Sequence, residues 1–108
     1  MHLETAIENW PFKEPLRITG YTFTGFDFLV ARLSRGGHTG RGEATGVYYR
    51  RDVPETAVSQ LATLVPLADG LDRQGLRGLL PPGCARNALD AALWELQSLE
   101  TGRPVWDL

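Results

Sequence analysis

The first half of the chain alternates apolar and polar positions with a period of two, which is typical of β-strands. In the segment LETAIENW, Leu3, Thr5 and Ile7 alternate with glutamates, so one face of this strand is expected to face water. Tyr21–Leu33 is rich in aromatic and β-branched residues and becomes almost continuously apolar, as a central strand does. A turn with two glycines follows at 34–38. These patterns and the strand after the turn predict a three-stranded antiparallel meander.

The third strand, TGRGEATG, carries only small residues on one of its two faces. That face consists of Gly40, Gly42, Ala44 and Gly46. The opposite face consists of Thr39, Arg41, Glu43 and Thr45. Because glycine weakens a strand, such a face indicates that another part of the backbone approaches it closely.

From Asp52 onward the apolar residues recur with a helical period of about 3.6. Asp52 and Glu55 are predicted to form a capping box at the start of a helix, with Pro54 in its first turn. Pro66 is predicted to kink or end this helix. A short second helix is expected over 71–80, before two prolines. The predicted apolar stripe of the first helix is Val58, Leu61, Ala62 and Val65.

A third helix is predicted from about Cys84 to Thr101, with Gly102 as its C-terminal cap and Pro104 preventing its continuation. Its predicted core-facing stripe is Ala85, Ala88, Leu89, Ala92, Leu93, Leu96 and Leu99. With the meander before them, three helices make the fold class α+β.

Trp94 lies on the other side of this third helix, away from the stripe. Trp106 and Leu108 follow beyond the helix end. We interpret the helix as sandwiched, with its second face covered by a partner outside these residues. The sequence is therefore expected to be the front part of a larger protein.

Composition and charge narrow the class of protein. The chain has 43% hydrophobic and 22% charged residues, as ordinary globular proteins have. The net charge of -2, with both signs mixed along the chain, does not favour a nucleic-acid or membrane-surface partner. Cys84 is the only cysteine, so an internal disulfide is excluded and a reducing compartment is favoured. Its side chain is expected to be a packing residue. No apolar run is long enough to span a bilayer, and the N-terminus lacks the features of a signal peptide. The predicted location is therefore the cytoplasm.

Few residues of the chain are candidates for catalysis or metal binding. His2 and His38 have no ligand-like spacing to a cysteine or a carboxylate. Glu43, near the end of the glycine-rich strand, is the one acidic candidate, and the favoured interpretation is that it holds the following loop by a hydrogen bond. From these residues alone, the chain resembles a binding or scaffold module.

Three motifs occur in order: WPFKEPLRITG, GHTGRGEATGVYY and LPPGCARNALDAALWELQSLETGRPVWDL. Together they resemble the N-terminal capping domain of the enolase superfamily, in the mandelate racemase and muconate-lactonizing subgroup. The similarity is greatest to dipeptide epimerases of the L-Ala-D/L-Glu type and covers residues 1–108.

The resemblance implies a division of labour with a C-terminal (β/α) barrel that these residues do not contain. The barrel would carry the catalytic lysines and the carboxylates that bind Mg²⁺, so no catalytic or metal-binding residue is expected in this chain, which alone should be inactive. The capping domain would shape the substrate pocket through a first loop, Lys13 to Thr24, and a second loop, Ala44 to Arg51. The implied pocket residues are Arg17, Tyr21, Phe23, Thr45, Val47, Tyr48 and Tyr49. The implied barrel-facing residues are Glu43, Trp94 and Trp106.

The first loop departs from the pattern of family members that act on Ala-Glu. Those members place an arginine near the side-chain carboxylate of the substrate, whereas this sequence has aromatic residues at Tyr21 and Phe23, with Arg17 the nearest cation. A dipeptide with an uncharged, hydrophobic C-terminal residue is the predicted substrate. A second departure is Leu99, where many members have a lysine or an arginine.

Three alternatives remain open from the sequence. The capping domain could belong to a muconate cycloisomerase or to an enzyme similar to o-succinylbenzoate synthase. From a different class, the chain could be a free-standing interaction domain that binds a protein through Trp94. The expected partners are the barrel, a small-molecule substrate and further copies of the same protein in a homo-oligomer.

Overall fold

Three antiparallel strands form one sheet in the order of the chain, β1-β2-β3. The computed structural model describes all residues from 1 to 108. The strands are β1 (His2–Ile18), β2 (Tyr21–Arg35) and β3 (His38–Ala44). The predicted meander is confirmed, and β2 is its central strand.

The pairing of β1 with β2 is interrupted once, between Pro11 and Leu16, where the four residues 12–15 oppose the single residue Thr24. Pairing then resumes up to a two-residue turn in which Gly20 has a φ of 78°. The segment predicted as the first loop, Lys13 to Thr24, is therefore the tip of a β-hairpin in which only residues 19–20 lie outside the strands. Prolines are tolerated in β1 because it is an edge strand, where the loss of a backbone N–H donor has little effect on sheet stability.

Three α-helices follow the sheet, as predicted. They are α1 (Pro54–Ala62), α2 (Arg73–Leu79) and α3 (Cys84–Thr101). Short 3₁₀ helices occur at Tyr48–Arg50, Val65–Gly70 and Val105–Asp107. Gly102 caps α3 with a φ of 68°, as predicted. The helices lack the combined length and hydrophobicity that a membrane-spanning helix requires.

The capping box predicted for Asp52 and Glu55 is wrong. Val53 is the residue before α1, and the Thr56 hydroxyl donates to its carbonyl at 2.9 Å and accepts from its N–H at 3.4 Å. The Asp52 side chain is not available for this role because it binds the start of α3.

The apolar stripe of α1 is also displaced from the predicted one. Ala57 and Leu61 are buried, and Leu64 continues the stripe after the helix, whereas Ala62 and Val65 are exposed. Two stripes one position apart both satisfy the helical period here, and packing against α3 and the sheet selects the one that contains Ala57.

Helix α3 packs across the sheet and supplies the centre of an 18-residue hydrophobic core. Its buried residues include six of the seven predicted ones: Ala85, Ala88, Leu89, Ala92, Leu93 and Leu96. Leu99 is the exception, with 45% of its surface exposed. Leu96 lies against Gly40, near the start of β3, and Glu100 in the last turn of α3 pairs with Arg35 at the end of β2.

The glycine face of β3 is covered by α3, which confirms the predicted close approach of another backbone. A Cβ atom on Gly40 would lie 2.6 Å from the backbone nitrogen of Leu96. A Cβ atom on Gly42 would lie 2.8 Å from the backbone nitrogen of Ala92. The helix therefore sits closer to β3 than any side chain at these positions would allow.

Candidate functional site

Aromatic side chains from the hairpin tip and the second loop form one contiguous group, called the aromatic cluster below. Its members are Phe12, Tyr21, Phe23, Phe26, Tyr48 and Tyr49. The ring centroid of Tyr48 lies 4.7 Å from that of Tyr21 and 5.1 Å from that of Phe23. These separations are those of favourable aromatic pairs, so the two loops are in direct contact.

The register of the hairpin explains why its tip presents an apolar face. Leu16 pairs with Phe23 and Ile18 pairs with Tyr21, and paired residues in antiparallel strands project from the same face. Leu16, Ile18 and Tyr21 are all more than two-fifths exposed. This face lies outside the buried core and offers apolar contact area to a ligand or a partner.

The second loop is closed at its base by an isolated bridge between Val47 and Asp52. The N–H of Val47 donates to the carbonyl of Asp52 at 2.8 Å. Tyr48 to Arg50 form one 3₁₀ turn, and Arg51 takes the left-handed conformation, with a φ of 56°. This short closed loop projects Tyr48 towards the hairpin, while Tyr49 remains 67% exposed.

Two of the predicted pocket residues lie at the base of the second loop and make no contact in the aromatic cluster. The hydroxyl of Thr45 donates to the carbonyl of Gly46 at 3.1 Å. Val47 is partly buried and forms the bridge. These residues support the loop that carries Tyr48.

Arg17 is not brought to the aromatic cluster. It pairs with Thr22, between the pairs that contain Tyr21 and Phe23, so its side chain projects from the opposite face of the hairpin. The cation that contacts the cluster is Arg50, whose guanidinium carbon lies 5.9 Å from the ring centroid of Tyr49. Arg50 was not among the predicted pocket residues, although it follows the tyrosine pair directly.

Glu43 lies on the open face of the sheet, paired with Val30 of β2. Its side chain is exposed and makes no hydrogen bond or ion pair within the chain. The interpretation that Glu43 holds the following loop is therefore wrong, because the bridge between Val47 and Asp52 closes that loop.

The two tryptophans expected to face a barrel have different surroundings. Trp94 is half-buried, and the guanidinium carbon of Arg73 in α2 lies 3.3 Å from its ring centroid, a cation–π contact. Trp106 is 90% exposed, and Val105 beside it is 43% exposed. Helix α2 thus covers part of the Trp94 side of α3, which was predicted to be covered by a partner. The surface around Trp106 is exposed.

The chain offers no strong nucleophile and no site for a metal ion. Burial, with smaller contributions from the charges of Asp52 and Glu55, raises the pKa of the Cys84 thiol to about 11, so the reactive thiolate is scarce at neutral pH. No group of three or more histidine, cysteine or acidic side chains is arranged to hold a metal. These residues therefore do not supply ligands for the Mg²⁺ that the family resemblance places in the barrel. What the site can do is bind, through aromatic and aliphatic surface.

Comparison with known proteins identifies the family of this chain. Residues 1–108 match the family described as mandelate racemase / muconate lactonizing enzyme, N-terminal domain. The chain is 34% identical over 102 residues to the L-Ala-D/L-Glu epimerase of Escherichia coli K12, covering 94% of this chain and 32% of that protein. It is 36% identical over 104 residues to a hydrophobic dipeptide epimerase of Roseobacter litoralis, covering 87% of this chain and 29% of that protein.

Solved structures agree with these matches. An L-Ala-D/L-Glu epimerase superimposes with a TM-score of 0.86 at 32% identity, over 97% of this chain and 31% of that one. An enolase family member from Agrobacterium tumefaciens with homology to dipeptide epimerases, solved with bound sodium and L-Ala-L-Glu and an ordered loop, gives a TM-score of 0.91 at 28% identity, over 96% of this chain and 32% of that one. The chain spans about one third of the length of these relatives. It belongs to the mandelate racemase and muconate lactonizing enzyme N-terminal domain family.

Proposed function

We propose that this chain is the substrate-specificity cap of a dipeptide epimerase, an isomerase that inverts the α-carbon of one residue. The observation that carries the proposal is the aromatic cluster, in which the hairpin tip and the second loop converge on Tyr48. Support also comes from the two curated relatives, both of which are named as dipeptide epimerases.

In this function, the catalytic reaction would take place in a (β/α) barrel outside these residues. This chain holds no metal site and no activated nucleophile, so proton transfer and the binding of Mg²⁺ would belong to that barrel. A reading frame that continues past Leu108 into a barrel with catalytic lysines would support the proposal. A protein that lacks such a barrel, in the same chain or in a partner, would contradict it. We further propose the cytoplasm as its location, since Cys84 is an unpaired buried thiol.

Within this function, we propose that the preferred dipeptide has an uncharged, hydrophobic C-terminal residue. The apolar face of the hairpin tip carries no cation, and Arg17 projects from the opposite face. A substrate carboxylate buried against this surface without a partner would lose about 3–5 kcal/mol of binding free energy. An apolar side chain would instead gain free energy in proportion to its buried area.

The test is the full-length enzyme assayed with Mg²⁺ against a panel that includes L-Ala-L-Glu, L-Ala-L-Leu and L-Ala-L-Phe. Exchange of the α-proton in D₂O gives kcat/KM for each dipeptide. We expect kcat/KM for a hydrophobic dipeptide to exceed that for L-Ala-L-Glu by about 10-fold or more. This ratio corresponds to the free energy gained by burying part of one apolar side chain. If L-Ala-L-Glu has the highest kcat/KM in the panel, the proposed preference is wrong.

Matched variants identify the surface responsible for this preference. Tyr48→Ala should lower kcat/KM for the hydrophobic dipeptides more than for L-Ala-L-Glu, because it removes the ring at the centre of the cluster. Arg17→Ala is the control and should leave the preference unchanged. Arg50→Gln addresses the one cation at the cluster. A selective loss of activity on L-Ala-L-Glu in Arg50→Gln would show that a guanidinium binds the substrate side chain.

A further inference from the structure

We propose that Asp52 is a positioning residue, which holds the second loop in its substrate-contacting conformation by anchoring it to the start of α3. This inference rests on the proposed function, because it assumes that the second loop contacts the substrate. It adds a residue that lies outside both predicted loops and that the sequence had assigned to the cap of a different helix.

The anchor is a hydrogen bond between elements far apart in the chain. The backbone N–H of Cys84, the first residue of α3, donates to Oδ2 of Asp52 at 2.9 Å. The residue before α3 is Gly83, which has no side chain to cap the helix. Asp52 thus supplies the acceptor, and a carboxylate is favoured there because a helix N-terminus carries partial positive charge.

Cys84 binds the other end of the second loop as well. Its thiol donates a weak hydrogen bond to the carbonyl of Ala44, with a sulfur-to-oxygen distance of 3.5 Å. Ala44 opens the second loop and Asp52 directly follows it, so one residue of α3 holds both ends. The loop is thereby fixed relative to the rigid core of the domain.

Glycines at two positions make room for this arrangement. Gly46 has a φ of 81°, and a Cβ atom on it would overlap the carbonyl oxygen of Asp52. A Cβ atom on Gly83 would lie 3.2 Å from Oδ2 of Asp52, tighter than an ordinary contact. The backbone and the side chain of Asp52 are therefore both confined.

The anchor reaches the substrate surface through two residues. The carbonyl of Asp52 accepts the N–H of Val47 at 2.8 Å, and Tyr48 follows Val47 directly. Loss of the anchor would release the bridge at the base of the loop, and with it the position of the Tyr48 ring against Tyr21 and Phe23.

The experiment compares Asp52→Ala, Asp52→Asn and Asp72→Ala in the full-length enzyme. Asparagine retains an acceptor oxygen without the charge. Asp72 is the matched control because its Oδ1 caps α2 by accepting the N–H of Gly75 at 2.6 Å, a comparable bond that does not involve the second loop. The measurements are amide hydrogen exchange over residues 47–51 and separate kcat and KM values for the preferred hydrophobic dipeptide.

We expect Asp52→Ala to accelerate amide exchange over 47–51 and to raise KM about 10-fold, with kcat changed less than about twofold. A loop that must become ordered on binding weakens the binding of the substrate and of the transition state equally, so KM rises while kcat changes little. Asp52→Asn keeps an acceptor oxygen but loses the charge that the start of α3 favours, so it should show both effects at a smaller size, with KM raised about threefold. Asp72→Ala should show neither effect. Unchanged exchange in Asp52→Ala, or in Asp52→Asn if the alanine variant does not fold, would overturn the inference. Faster exchange with an unchanged KM would instead overturn the substrate-contacting role of the second loop, and with it this part of the proposed function.

Discussion

The ring of Tyr48 meets the ring of Tyr21 edge-on, with the centroids 4.7 Å apart. Tyr21 lies at the end of a hairpin that extends beyond the region covered by the helices, and Tyr48 lies in a loop held by α3 through its base. This contact therefore supports the hairpin tip from the side of the folded core.

Replacing Tyr48 by alanine should loosen the hairpin tip. Tyr48 contacts three aromatic rings, whereas Tyr49 contacts only one, that of Tyr48. We expect Tyr48→Ala to lower the free energy of unfolding in urea by about 1 kcal/mol more than Tyr49→Ala does. Equal losses in the two variants would mean that the ring contacts do not stabilise the tip.

The close packing of α3 on β3 should make Gly42 intolerant of any side chain. Gly42→Ala should cost about 2–4 kcal/mol of unfolding free energy, since either α3 or β3 must move to admit the methyl group. Gly78→Ala in α2 is the control, because a Cβ atom there meets nothing within 4 Å. That change should be neutral or stabilising by up to about 1 kcal/mol. Chemical denaturation of both variants measures the difference, and similar stabilities would contradict the packing.

Two leucines of α3 allow a paired test of the core. Leu89 is fully buried, whereas Leu99 is half-exposed in the last turn. Leu89→Ala should lower the unfolding free energy by about 2–5 kcal/mol. Leu99→Ala should change it by less than about 0.5 kcal/mol. A large loss from Leu99→Ala would place that side chain inside the core, as the sequence had predicted.

Burial of Cys84 should make stability depend on pH in the alkaline range. The folded-state pKa of about 11 lies above the ordinary value of 9.0, so the folded protein holds the thiol proton more tightly than the unfolded chain does. The resulting stabilisation is complete below pH 9 and is lost as the pH rises through 11. Urea denaturation of the wild type and of Cys84→Ala across this range isolates the thiol. The stability difference between them should shift against the wild type with rising pH, and a constant difference would contradict the raised pKa.

Apolar surface around Trp106 should lead residues 1–108, studied alone, to self-associate. Trp106 is 90% exposed, and Val105 and Leu99 are each more than two-fifths exposed. Sedimentation at increasing concentration should reveal association that Trp106→Ser weakens and that Tyr49→Ser, at another exposed aromatic residue, does not. A monomer at all concentrations would contradict this prediction.

The features predicted correctly from sequence were those set by local periodicity. The six buried residues of α3 repeat with the helical period, and the small face of β3 could be identified from Gly40 and Gly42 alone. The errors arose where distant parts of the chain compete for the same group. Asp52 has the spacing of a local helix cap, but its carboxylate binds Cys84 of α3 instead.

The candidate site could be predicted only in part, for the same reason. The resemblance pointed to Tyr21, Phe23, Tyr48 and Tyr49, and the structure brings their rings together. The face on which Arg17 lies depends on where the β1–β2 register resumes after the irregularity at 12–15. A shift of one residue exchanges the two faces of a strand, and no local pattern in the sequence sets that register.

The separation between the core and the aromatic cluster has an evolutionary consequence. None of the cluster residues belongs to the 18-residue hydrophobic core. Mutations that exchange one ring for another, or for a charged side chain, therefore act on a surface whose loss leaves most of the folding free energy intact. If the cluster selects the substrate, as we propose, a lineage that carries this domain can move from one substrate to another through single substitutions in its loops, without first acquiring compensating mutations in the core.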